Sequence, residues 1–65
     1  MIRIENEATG RMFIYFPGGY VVYDTYRGEE HWYDDKGRLN RPNGLPAVVG
    51  ADGYESYWEH GHAKT

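Results

Sequence analysis

Cysteine is absent from this chain of 65 residues. No disulfide can brace it, and a four-cysteine zinc site is excluded. Nucleophilic chemistry is equally short of parts, because there is one serine, Ser56, with no glycine elbow around it. Long apolar runs are missing too. Nothing approaches the ~20 residues of a membrane span, and no uninterrupted apolar stretch follows the start as a secretory signal requires. A cytoplasmic protein with no membrane partner is the expectation. An excess of positive charge is also lacking. The net charge is -3 and the pI about 5.4, which argues against general affinity for a nucleic-acid backbone or an anionic membrane. Finally, no segment places apolar residues at i, i+3, i+4 and i+7 over three turns, so no helix is expected.

What the chain does have is rings and turn residues. Seven Tyr, two Trp and two Phe make it 17% aromatic, with nine glycines and three prolines between them. A chain of this size buries only about 60% of its unfolded surface. Each large ring buries roughly 150–250 Å², so a few rings can stand in for many aliphatic residues, and a second copy of the chain is a candidate partner. Alternation gives the strands. Ile2 and Ile4 share one face of a short first strand. Arg11 to Phe16 places Met12, Ile14 and Phe16 on one face and Phe13 and Tyr15 on the other, as a central strand would. Pro17-Gly18-Gly19 breaks it. Tyr20 to Tyr26 follows, with Val21 and Tyr23 expected inward because Asp24 is costly to bury unpaired. After a turn at Arg27-Gly28 comes Glu29 to Tyr33, then a strong Asp34-Asp35-Lys36-Gly37 turn. Arg38 to Pro46 reads as an ordered loop, Ala47 to Gly50 as a short strand, and Ala51-Asp52-Gly53 as a hairpin turn. In Tyr54 to Glu59, Tyr54 and Trp58 are expected in the core, and His62 to Thr65 as a frayed tail. The fold class is all-β: a small antiparallel meander of five or six short strands, as a curved single sheet or an open barrel. It forms one domain over residues 1–65.

A weak repeat runs through the second half, residues 32–64. Tyr33 to Arg41 superimposes on Tyr57 to Thr65, with Tyr33 on Tyr57 and Gly37 on Gly61, which suggests stacked hairpins that cover one another. This stretch resembles a repeat of small phage and bacterial proteins of mostly unassigned function. The pattern there is an aromatic strand, Gly-x-x-His-Arg-x-x-Gly-Pro-Ala, a short apolar strand, then Asp-Gly and another aromatic strand. Gly37, Arg41, Gly44, Pro46, Ala47, Asp52, Gly53 and Trp58 fall at or near its positions. Asn40 stands where the pattern has His, and Leu45 is inserted before Pro46. The resemblance implies a β-hairpin array and a phage or mobile-element origin, hence a host cytoplasm as location. It implies no catalytic residues.

Three chemistries have candidate residues in the chain. His60 and His62, with His31 and Asp34 or Asp35, are the candidate metal ligands, but a glycine between the first two and surface exposure favour ordinary histidines. The adjacent acids Glu29-Glu30 and Asp34-Asp35 point to opposite faces if extended, so turn initiation and solubility explain them better than acid–base catalysis. No enzyme and no cofactor are expected. Lys36, Arg38 and Arg41 beside Trp32 and Tyr33 suit a single-stranded nucleic acid or a carbohydrate, although the neighbouring acids oppose phosphate. Protein contact remains. Tyr, Trp and Arg are enriched where binding energy concentrates, and Tyr15, Tyr20, Tyr26, Tyr33 and Tyr57 lie on faces opposite those assigned to the core. With Trp32, Arg38 and Arg41 they form the expected partner-binding set. The expected function is occupation of a host protein's surface, inhibiting host defence or metabolism. The alternative is a ligand-binding module. Arg38 and Arg41 locked to Asp34 or Asp35 favour the first; an open basic-aromatic groove favours the second.

Overall fold

Ring-rich alternation and tight turns fix the register of the central strands. Pro17 holds φ near the value that begins a turn, and Gly18 completes it at a φ of 97°, so Phe16 is set opposite Gly19. In the computed structural model, which describes residues 3–6, 8 and 10–64, seven strands follow. They are β1 (Arg3–Asn6), β2 (Arg11–Phe16), β3 (Gly19–Asp24), β4 (Glu29–Asp34), β5 (Val48–Val49), β6 (Glu55–Glu59) and β7 (His62–Lys64). Each pairs antiparallel with its neighbour in sequence. β1 to β6 make one continuous sheet, β7 extends it by a hairpin on β6, and the sheet does not close into a barrel. No described residue is helical, and no helix long and apolar enough to cross a membrane occurs among them.

Register separates two faces. Phe13 pairs with Val22 and Tyr15 with Tyr20, while Tyr20 and Val22 pair across the next ladder with Tyr33 and His31. These side chains share one face. Met12 pairs with Tyr23 and Ile14 with Val21, and Val21 and Tyr23 pair in turn with Trp32 and Glu30. These, with Phe16, share the other. β2, expected to be central, lies between β1 and β3. Gly19 also permits a close approach, because a side chain there would collide with the Tyr33 carbonyl.

The molecule is a slab of 34 × 30 × 15 Å. Its strands contact only their sequence neighbours, so no second sheet packs against the first and the slab is one layer. Among the described residues Val21 (6% exposed), Ala47 (0%) and Pro46 are the buried apolar side chains, and Asp34 (2%) is the buried charged one. Ala47 is locked by its backbone, its N–H donating to the Ser56 carbonyl at 2.9 Å and its carbonyl accepting from Trp32 N–H at 2.7 Å. It thereby holds β4 and β6 together on either side of the short β5.

Four expectations need correction. The third strand stops at Asp24, because its carboxylate accepts the amides of Tyr26 (3.0 Å) and Arg27 (3.1 Å) and bends the chain. Tyr26 therefore sits in the turn, 79% exposed, with its ring against Gly10. Tyr54 is not in the core. It closes the Ala51–Gly53 turn, its amide donates to Asp52 (3.1 Å), and it is 58% exposed. Trp58 is half-buried, and its indole N–H donates to Ser56 Oγ at 2.6 Å. The tail is strand as far as Lys64, because His60 (φ 47°) and Gly61 (φ 82°) form a two-residue turn with both φ positive that sets Glu59 opposite His62. Ile2, the side chain of Ile4 and Thr65 lie outside the described residues.

Candidate interaction surfaces

The tyrosine face carries a ladder of rings across three strands. Phe13 and Tyr15 lie 6.4 Å apart between centroids, Tyr15 and Tyr20 5.6 Å, and Tyr20 and Tyr33 5.0 Å with planes 22° apart. The rings of this ladder are half-buried. At the Tyr20–Tyr33 separation the rings present their faces to each other and turn their edges outward. Such pairs add about 0.5–1.5 kcal/mol beyond the area they bury. Burial, with Tyr20 alongside, raises the Tyr33 phenol above its ordinary pKa, and Arg11 opposes the shift. Next to the ladder a depression of about 220 Å³ is lined by Arg11, Val22, Asp24, Arg27, Glu29 and His31 together with Tyr33. His31 Nε2 lies 3.6 Å from Glu29.

The opposite face is drier. Phe16 and Trp32 lie 5.7 Å apart, and Trp32 Nε1 donates to Glu30 at 3.1 Å. The Arg41 guanidinium sits 3.9 Å from the centre of the Trp32 ring and donates to the Pro46 carbonyl at 3.2 Å.

Between the two halves of the repeat lies a carboxylate with no free lone pair. Asp34 Oδ1 accepts the amides of Lys36 and Arg38, each at 2.9 Å. Its Oδ2 accepts Arg38 Nε at 2.8 Å and His60 Nδ1 at 2.9 Å. Four donors use the full acceptor capacity of two oxygens. The His60 bond leads in holding the carboxyl well below the usual carboxylate range. Burial opposes it, and the Arg38 and Lys36 amides and the Arg38 side chain add to it. The His60 amide donates to Asn40 Oδ1 at 3.0 Å, and the Gly61 amide to the Leu39 carbonyl at 2.8 Å. The His60-Gly61 turn is thus docked onto the Leu39-Asn40 segment. Asp34 has nothing left with which to ligate a metal or take a proton from a substrate. Among the described residues no three His, Asp or Glu side chains gather closely enough to hold a metal ion. Ser56 Oγ is occupied by the Trp58 indole.

The eight residues of the expected binding set therefore do not form one surface. Tyr15, Tyr20 and Tyr33 come together in the ladder. Trp32 and Arg41 lie together on the other face. Arg38 is tied to Asp34. Tyr57, whose hydroxyl donates to Glu55 at 3.3 Å, shares the strand face of Glu55, which the register carries through Val49 to Glu30. Tyr57 is thus on the Trp32 side, and Tyr26 projects from a turn. Of Arg38 and Arg41, Arg38 is locked to Asp34. Arg41 is not paired with an acid; it is stacked on the Trp32 ring and also lines an open depression of about 240 Å³ with Tyr57, Trp58, Glu59 and Lys64. Asp34 was legible only as half of an acidic pair; the signal that separates it from Asp35 is the basic or imidazole side chain available at each end, which spacing alone does not supply.

Compared with protein-family models, curated proteins and solved structures, the chain matches none. Its function is therefore argued from the surfaces just described.

Proposed function

We propose that this protein is a small interaction module of phage or mobile-element type that occupies a surface of a host protein and thereby inhibits it. The observation that carries the reading is the tyrosine ladder on a one-layer sheet. Aromatic side chains at the centre with charged groups around them are the anatomy of a protein interface, and tyrosine is among the residues that dominate binding energy. Arg11, Asp24, Arg27 and Glu29 supply the charged rim. A rigid sheet also orders its rings in advance, which lowers the entropic cost of association. The ligand-binding alternative is supported less well. Tyr20 and Tyr33 are stacked on each other and Arg38 is tied to Asp34, and the open depression of about 240 Å³ that Arg41, Tyr57, Trp58 and Lys64 line also holds Glu59, which opposes a phosphate.

The test is capture from a host lysate by the wild-type chain and by a Tyr20→Ser, Tyr33→Ser variant that keeps its far-UV circular dichroism. A specific protein retained by the first and lost by the second is expected. Recovery of no specific protein, or of nucleic acid released by added salt, would overturn the reading.

A further inference from the structure

On the face opposite the ladder, Ile14, Phe16, Val21, Tyr23 and Trp32 surround an open depression of about 470 Å³, with Glu30 at its side. A sheet with an apolar face needs a second layer against it. The described residues form one sheet, and although the Arg41 guanidinium lies over the Trp32 ring, the depression stays open. We propose that the cover is the same face of a second copy, giving a two-fold dimer with sheet packed on sheet.

Two observations choose that occupant. The first is area. A slab of 34 × 30 Å spans roughly 1,000 Å² in projection, which leaves room around the depression for the about 800 Å² per partner of a stable interface. The second is charge. The chain carries a net charge of -3, so two copies repel over most of their surface. On this face, however, one acid and one base flank the same ring: Glu30 accepts the Trp32 indole N–H, and Arg41 lies over that indole. A two-fold contact sets each residue of one copy against a residue of the other and repeats the pair in reverse. With the two-fold axis passing beside Trp32, between the two charges, Glu30 of each copy meets Arg41 of the other, twice. The ladder face, with Arg11, Asp24, Arg27, Glu29 and His31 around one depression, offers no comparably dry patch. The dimer also leaves both tyrosine ladders facing outward.

The experiment is solution mass by sedimentation equilibrium at high micromolar concentration. The wild-type chain is expected at twice 7.6 kDa, and Tyr20→Ser likewise. Phe16→Glu is expected at the single-chain mass with its far-UV circular dichroism kept. Because that variant risks unfolding, charge reversal supplies a second arm. Glu30→Arg and Arg41→Glu should each weaken the dimer by about tenfold or more. An equimolar mixture of the two should recover it, since every facing pair is again opposite in sign. A single-chain mass for the wild type would overturn the proposal. So would a dimer lost in Tyr20→Ser and kept in Phe16→Glu, or a mixture that stays dissociated. A monomer that instead binds phospholipid vesicles through Phe16 and Trp32 would assign the face to another occupant and overturn it equally. Failure of host-protein capture with a doubled mass would remove the function proposed above and leave the dimer standing.

Discussion

Strands β2, β3 and β4 run six residues each in unbroken register, whereas β5 has two residues and β7 three. The long strands are joined by ladder hydrogen bonds and by rings in contact from strand to strand. The later part has too little ladder to hold itself. It relies on side chains that reach for backbone: Asp34 for Lys36 and Arg38, Asn40 for His60, Arg41 for Pro46, Asp52 for Tyr54. The Asp34–His60 bond joins positions 26 residues apart, so it closes a loop much as a covalent cross-link would in a chain that has one. The lesson is that a short cysteine-free chain has two ways to fix a meander, rings where strands are long and a saturated carboxylate where they are not.

Removal of the carboxylate tests this contrast most severely. Asp34→Ala orphans four donors at once and is expected to lower the urea midpoint more than any other substitution named here. Trp58 fluorescence should change before the near-ultraviolet signal of the tyrosine ladder. A simultaneous loss of both would show that the two parts do not differ in this way.

pH separates the parts further. The Asp34 carboxyl is held below its unfolded value of about 3.9, so its contribution is present above that value and is lost as pH falls through the folded one. Tyr33 is raised above its unfolded value of about 10, so its contribution is present below that value and is lost as pH rises through the folded one. Acid should therefore loosen the later hairpins first, and alkali the ladder. Amide exchange at Gly61 and at Tyr20 across the pH range reads the two separately.

Smaller effects refine the picture within each part. Val21→Ala truncates the buried apolar side chain of β3 and should cost about 2 kcal/mol in denaturant unfolding. Tyr20→Leu takes the ring that touches both Tyr15 and Tyr33 and should cost about 1 kcal/mol. Asn40→Ala deprives the His60 amide of its acceptor at an exposed site, for about 0.5–1 kcal/mol. An Asn40 effect larger than that of Val21 would place more of the stability in the turn docking than in the sheet.

The all-β meander was readable because strict alternation in Arg11 to Phe16 and the glycine turns after it leave few other arrangements. What stayed hidden has local physical causes. Tyr26 looks like strand, but the Asp24 carboxylate offers its amide a nearer partner than the ladder does. His62 to Lys64 is too polar to advertise a strand. It pairs because His60 takes a left-handed conformation more often signalled by Asn or Asp. Tyr54 alternates correctly with Trp58, yet it precedes the first residue of β6 and belongs to the turn. Asp34 and Asp35 are indistinguishable as letters, and only the return of His60 along the chain buries one and leaves the other exposed. The clustering of Tyr15, Tyr20 and Tyr33 and the placement of Trp32 on the reverse side followed from alternation and register, while the placement of Tyr57 beside Trp32 needed the pairings through β5.

Every strand in the sheet touches only the strands before and after it. A chain leaving the ribosome can therefore lay each strand on the previous one as it emerges, with no early segment waiting for a distant mate, which is the arrangement that keeps folding fast for a β protein. The exception is the carboxylate at Asp34, which completes its four partners only when His60 arrives. That last bond works as a clasp, closed only after β5 and β6 have been laid down.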